Sequence, residues 1–183
     1  DYFRVATDGR DSFIFMNYGR LREENNCYAA IAGFLREIGV AVPSILGHDP
    51  DWGRLVMEDL GAEDLFSFRD APWDLRRPLY EKTLKMVLKL HAFPPQRFPS
   101  ADVPLMSGFG PELYKWERDY FREYCVTKLC GIRLTKSKEG ALEGELEVLA
   151  RRLTETPPVL MHRDLQSQNV MVRKGEPFLI DFQ

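Results

Sequence analysis

The tightest constraint on this 183-residue chain is the order of residues near its end. There the run His162-Arg163-Asp164-Leu165-Gln166-Ser167-Gln168-Asn169 leads into Val170-Met171-Val172, a turn at Lys174-Gly175-Glu176, and then Phe178-Leu179-Ile180-Asp181-Phe182. Short β-branched and aromatic runs on either side of a glycine turn read as a hairpin. Val159 to Met161, just upstream, reads as another short strand. A fold that accepts this segment places Asp164 and Asn169 on one short loop facing a common point. Asp181, at the end of the adjoining strand, then closes on that point from the other side.

The rest of the chain has to frame that point. Tyr2 to Thr7 and Ser12 to Asn17 are rich in aromatic and β-branched residues, and Asp8-Gly9-Arg10 between them is a hairpin turn. From Arg22 to Ile38, Tyr28, Ile31, Leu35 and Ile38 recur at helical steps, which predicts a helix with one apolar stripe. Gly39 caps it and Pro43 stops it from continuing. Ser44 to Gly47 and Arg54 to Met57 predict short extended segments around Asp49-Pro50-Asp51.

Glu58-Asp59-Leu60-Gly61 marks a change of character, because from about Leu75 to Arg152 the chain reads as almost all helix. Leu84, Val87, Leu88 and His91 predict one apolar face of a helix over 75–92, with His91 as a core-edge histidine. The prolines between Pro94 and Pro104 make an irregular connection. Leu113 to Leu129 and Ala141 to Leu153 predict two further helices. In the first of them Tyr114, Trp116, Tyr120, Phe121 and Tyr124 read as packed core plus lobe surface rather than as a platform for a sugar ring. The expected fold class is α+β, in two lobes: residues 1–60 strand-rich, residues 61–183 mostly helical and carrying the hairpin. A cleft between such lobes is where small-molecule sites tend to lie. Both ends fall inside core elements, so the chain is expected to be truncated at both ends.

Composition excludes several classes of function. Lys and Arg number 25 against 28 Asp and Glu, a net charge of −3. That balance argues against nucleic acid as a partner, since phosphate-backbone binding needs a concentrated basic surface. The densest basic stretch, Arg133 to Lys138, is followed by Glu139, Glu143, Glu145 and Glu147 and reads as a solvated face. Cys27, Cys125 and Cys130 are odd in number and lie outside metal or redox spacings. No apolar run approaches the ~20 residues that cross a membrane, and no signal peptide opens the chain. The expectation is a cytoplasmic protein with no membrane partner.

The polar run has a specific chemical reading. Phosphoryl transfer from a nucleotide needs a carboxylate beside the accepting hydroxyl and oxygen ligands for Mg²⁺. A His-Arg-Asp-Leu-x-x-x-Asn loop followed by a hairpin and Asp-Phe supplies both. The competing structural reading makes His162 and Arg163 buried polar residues and both aspartates turn caps.

Three stretches carry a family resemblance: Tyr2-Phe3-Arg4-Val5, Met57-Glu58-Asp59-Leu60-Gly61, and His162 to Asn169 with Ile180-Asp181-Phe182-Gln183. With them the chain resembles the aminoglycoside phosphotransferase/choline kinase-like family, which has a protein-kinase-like fold. Within that family it is most similar to bacterial kinases that phosphorylate N-acetylmuramate and N-acetylglucosamine at the anomeric hydroxyl. The resemblance implies ATP and Mg²⁺ as cofactors and a small-molecule acceptor, an amino sugar first. It implies Asp164 as the catalytic base and Asn169 and Asp181 as metal ligands. Met57, Glu58 and Leu60 would border the adenine, Glu58 and Leu60 through backbone groups, with Met171 and Ile180 packing on it from below. The Glu58 side chain itself is expected in water.

The departures are equally specific. Where protein kinases carry a strand lysine for the α- and β-phosphates, this chain has Met16. Glu23 or Glu24 is placed where that lysine's partner would stand and reads instead as a solvated helix N-terminal charge. The Gly-rich loop is not in the chain, and Gln183 stands where a protein kinase has the glycine of Asp-Phe-Gly. The alternatives carried forward are an aminoglycoside or choline-type kinase and a non-catalytic nucleotide-binding pseudokinase.

Overall fold

Alternation of apolar residues drives the first layer. Strands β1 (Tyr2–Ala6) and β2 (Ser12–Asn17) pair antiparallel, and β2 pairs in turn with β4 (Arg54–Glu58), which pairs with β3 (Ile45–Asp49). The sheet order is β1-β2-β4-β3. Met16, Leu55 and Met57 are buried on the same face of this sheet. This computed structural model describes residues 1–9, 11–19, 27–105 and 108–182. Arg10 of the predicted hairpin turn, residues 22–26 of the predicted helix, Glu23 and Glu24 among them, and Gln183 lie outside that set.

Helix α1 (Tyr28–Glu37) buries Tyr28, Ile31, Ala32, Phe34 and Leu35, the stripe expected from its spacing. It ends as its glycine predicts. Gly39 has φ +75°, its N–H donates to the Arg36 carbonyl (3.0 Å), and the Val40 N–H donates to the Leu35 carbonyl (2.8 Å). Those paired bonds satisfy carbonyls that a helix end otherwise orphans.

After β4 the chain crosses to a short 3₁₀ turn, Leu65–Phe68, capped reciprocally by Asp64 and Ser67. Helix α2 (Trp73–Ala92) follows. Its buried stripe is Leu79, Thr83, Met86 and Leu90, so the expected face is corrected: Leu84, Leu88 and His91 are exposed. Thr83 sits in the core at little cost because its hydroxyl donates to the Leu79 carbonyl (2.8 Å).

Strands β5 (Val170–Arg173) and β6 (Glu176–Leu179) form the predicted hairpin. Its two-residue turn, Lys174 (φ 53°) and Gly175 (φ 74°), has the doubly positive φ that matches strand twist. The hairpin is held on both edges: the Val172 N–H donates to the Glu63 carbonyl (2.8 Å), and the Leu179 N–H to the Ala41 carbonyl (2.9 Å). Val159 to Met161, expected as a strand, makes no sheet pairing.

These elements belong to one compact unit, Asp1–Met106 with Val159–Gln183; Ser107–Pro158 forms a second. In the second unit α3 (Pro111–Tyr120) runs into a π-helical segment, Phe121–Leu129, and α4 (Lys136–Thr154) carries Glu143, which pairs with Arg118 (3.2 Å) and Arg122 (3.5 Å). Of the packed core plus lobe surface expected of the aromatic residues here, only the surface part is seen, since none of the five is buried. Trp116, Tyr120 and Tyr124 are about half exposed and stack along the helix, with centroids 5.3 and 4.3 Å apart.

Candidate active site

The loop before β5 is drawn tight by its own backbone. The Asp164 N–H donates to the His162 carbonyl (2.9 Å) across Arg163, whose φ is +69°. A three-residue turn with positive φ is strained for a residue with a Cβ, and such strain gathers at functional sites. The His162 ring is buried, and its Nε2 donates to the Ile180 carbonyl (2.9 Å). Burial holds its pKa below the ordinary histidine range, so the ring is a neutral donor. The Ile180 N–H donates to the Asn169 carbonyl (3.0 Å). The loop is thereby tied to the end of β6 at two points, immediately before Asp181, which is itself left-handed (φ 56°).

Asp164 and Asn169 meet as their spacing implies. Asn169 Nδ2 donates to the Asp164 carbonyl and to its Oδ2, both at 3.0 Å, and Gln166 Nε2 approaches the same oxygen at 3.3 Å. Oδ2 of Asp164 is thus oriented while Oδ1 keeps its lone pairs. The Oδ1 of Asn169 is the atom of this amide that could hold a metal. Phe182 stacks on Tyr28 of α1 (4.4 Å between centroids, 20°) and meets His162 edge-on. Burial pushes the pKa of the Tyr28 phenol well above its ordinary value.

A cavity of about 360 Å³ lies between the sheet and the hairpin. Met57, Glu58, Leu60, Met171 and Ile180 all line it, together with Asn169 and Asp181. Asp164 is not in its wall but is bonded to Asn169, which is. Tyr2, Ile14, Tyr28, Pro43, Asp59 and Gly61 complete the lining. Among the described residues no three His, Cys, Asp or Glu side chains form a metal cage. One amide oxygen and one carboxylate on facing elements still fit Mg²⁺, which keeps waters and phosphates as its other ligands.

The span between β4 and the 3₁₀ turn is braced from both sides. The Asp59 carboxylate, whose side chain is 7% exposed, accepts from Arg4 Nε (2.7 Å), Ser12 Oγ (2.7 Å) and the Gly61 N–H (2.8 Å). Glu58 turns the other way, to the Ser44 N–H (3.2 Å) and the guanidinium of Arg173 on β5. The expectation that the Glu58 side chain stands in water is therefore corrected: it is ion-paired and part-buried. Burial pushes both carboxyls up, but the hydrogen bonds, from Ser44 and Arg173 to Glu58 and from Ser12, Gly61 and Arg4 to Asp59, outweigh it and hold both below the usual carboxylate range. No local spacing announces partners 55 and 115 residues apart.

Residues 1–183 match the phosphotransferase enzyme family throughout. The chain belongs to that family. Among its relatives, the chain is 29% identical over 182 residues to the N-acetylmuramate/N-acetylglucosamine kinase of Pseudomonas putida, covering all of this chain and 51% of that protein. It thus spans about half the length of the curated relatives it matches. Its fold is protein-kinase-like. The streptomycin–ATP ternary complex of APH(2″)-IIa superposes with a TM-score of 0.63 at 13% identity, over 100% of this chain and 66% of that one. The choline kinase LicA from Streptococcus pneumoniae superposes with a TM-score of 0.60 at 15% identity, over 98% and 58%.

Proposed function

We propose that this phosphotransferase moves the γ-phosphate of ATP, with Mg²⁺, to an alcohol group of a small molecule, with an amino sugar such as N-acetylmuramate or N-acetylglucosamine as the acceptor. The observation that carries the reading is the link between Asp164 and the cavity: one amide, Asn169, both lines the cavity and holds the aspartate's Oδ2. The base is thereby fixed at the rim of a nucleotide-sized space, with Oδ1 left to take the proton of an acceptor hydroxyl. Asn169 Oδ1 and the Asp181 carboxylate would hold Mg²⁺, which when bound supplies charge neutralisation for the phosphates. Met57 to Leu60 would offer backbone groups to the purine edge, and Met171 and Ile180 an apolar floor. Residues 1–60 and 61–183 then act as the two lobes of the nucleotide site. The choice of an amino sugar is supported by relatives of this chain named N-acetylmuramate/N-acetylglucosamine kinase.

The test is a full-length preparation with Mg-ATP and a panel of N-acetylmuramate, N-acetylglucosamine, choline, an aminoglycoside and a protein, with products read by mass spectrometry. A sugar phosphate is expected, reduced by orders of magnitude in Asp164→Asn while ATP binding persists. Tight Mg-ATP binding with no product from any acceptor would turn the reading to a non-catalytic nucleotide binder.

A further inference from the structure

This inference rests on the kinase reading and concerns how the site holds a polyphosphate without a strand lysine. The cross-strand register pairs Tyr2 with Met16, Arg4 with Ile14, and Met16 and Ile14 in turn with Leu55 and Met57. Directly paired residues in an antiparallel ladder share a face. Tyr2, Arg4, Ile14, Met16 and Met57 therefore lie on the sheet face that roofs the cavity.

Few of these groups can donate to an anion. Met16 is buried and carries no donor. The Arg4 guanidinium is committed, to Asp59 and to the Gly61 carbonyl (2.7 Å). The Tyr28 side chain, beneath the roof, is buried against Phe182. No lysine or arginine lines the cavity among the described residues, whereas Glu58, Asp59 and Asp181 do. Tyr2 differs from all of these. It lines the cavity with Asn169 and Asp181, is 59% exposed, and has no hydrogen-bond partner among the described residues.

We propose that the Tyr2 hydroxyl donates a hydrogen bond to the phosphate chain of the bound nucleotide, from the roof position beside Met16. A neutral donor here supplies direction without the charge of a lysine. Charge compensation would then fall to Mg²⁺, which Asn169 and Asp181 would hold.

Tyr2→Phe removes the donor and keeps the ring. Binding of adenosine, AMP, Mg-ADP and Mg-ATP to the wild-type and variant full chains is measured by calorimetry, alongside thermal unfolding. The expected result is a loss of about tenfold for Mg-ADP and Mg-ATP, typical of one hydrogen bond to a charged group. Adenosine affinity and the unfolding temperature stay unchanged. Equal weakening of adenosine would assign the ring to base packing and overturn the proposal, as would unchanged Mg-ATP affinity. A wild-type chain that binds none of the four ligands would instead refute the kinase reading itself.

Discussion

Asn169 shows how much a single amide can fix. Its Nδ2 orients Asp164, its carbonyl accepts from Ile180, and its own N–H donates to the Gln166 carbonyl (2.9 Å). Asp181 lies across the hairpin and lines the same cavity as Asn169. Asp181→Ala is expected to abolish the Mg²⁺ dependence of ATP binding while leaving adenosine affinity intact. Titration of both ligands with and without Mg²⁺ checks it, and persistence of the metal effect would remove Asp181 from the ligand set. At this scale the sequence was legible where chemistry and spacing coincide: Asp164, Asn169 and Asp181 sit within one loop and hairpin. No individual role was read for Asp59 or Arg173, because their partners are assembled only by the fold; Tyr2 was read only as part of a motif, because its place in the cavity wall is set by the sheet.

At the scale of elements, β3 and β4 turn through Gly53, whose φ is +60°. A Cβ there would lie 2.5 Å from the Gly19 carbonyl oxygen, and the Gly53 carbonyl already accepts from the Tyr18 N–H (2.9 Å). Gly53→Ala combines a left-handed cost of about 1–2 kcal/mol with a backbone clash that no rotamer relieves. A fall of several degrees in unfolding temperature is expected, whereas Gly9→Ala, with open space around it, should change little. Calorimetric melting of both variants separates the two effects. Element types were largely readable: α1 shows its apolar stripe, and the hairpin its Lys-Gly turn. The face of α2 was not, because Thr83 is a polar letter in a buried place while Leu84 and Leu88 are apolar letters in exposed ones. The π-helical segment was missed as well, since its wider turn leaves no mark on a pattern read at 3.6 residues.

For the molecule as a whole, Glu58 joins the sheet to the hairpin through Arg173, Asp59 ties the span after β4 to β1 and β2 through Arg4 and Ser12, and their ionisation links both joints to pH. Both carboxyls have lower pKa values folded than unfolded, so the unfolded chain binds more protons as pH falls through the ordinary carboxylate range near 4. Their contribution is present above that range and is lost below it. The difference in unfolding temperature between wild type and Asp59→Asn should therefore be largest near neutrality and shrink toward pH 3. A difference that stays constant across that range would mean that Asp59 acts by shape and not by charge. A separate consequence concerns chain length. Consecutive residues of an extended strand face opposite sides, which is how one carboxylate reaches Arg173 and its neighbour Arg4. Deleting or inserting one residue between Met57 and Gly61 would send each carboxylate toward the other's empty side. A change in the length of this span is thus expected to cost more than a change of one of its letters.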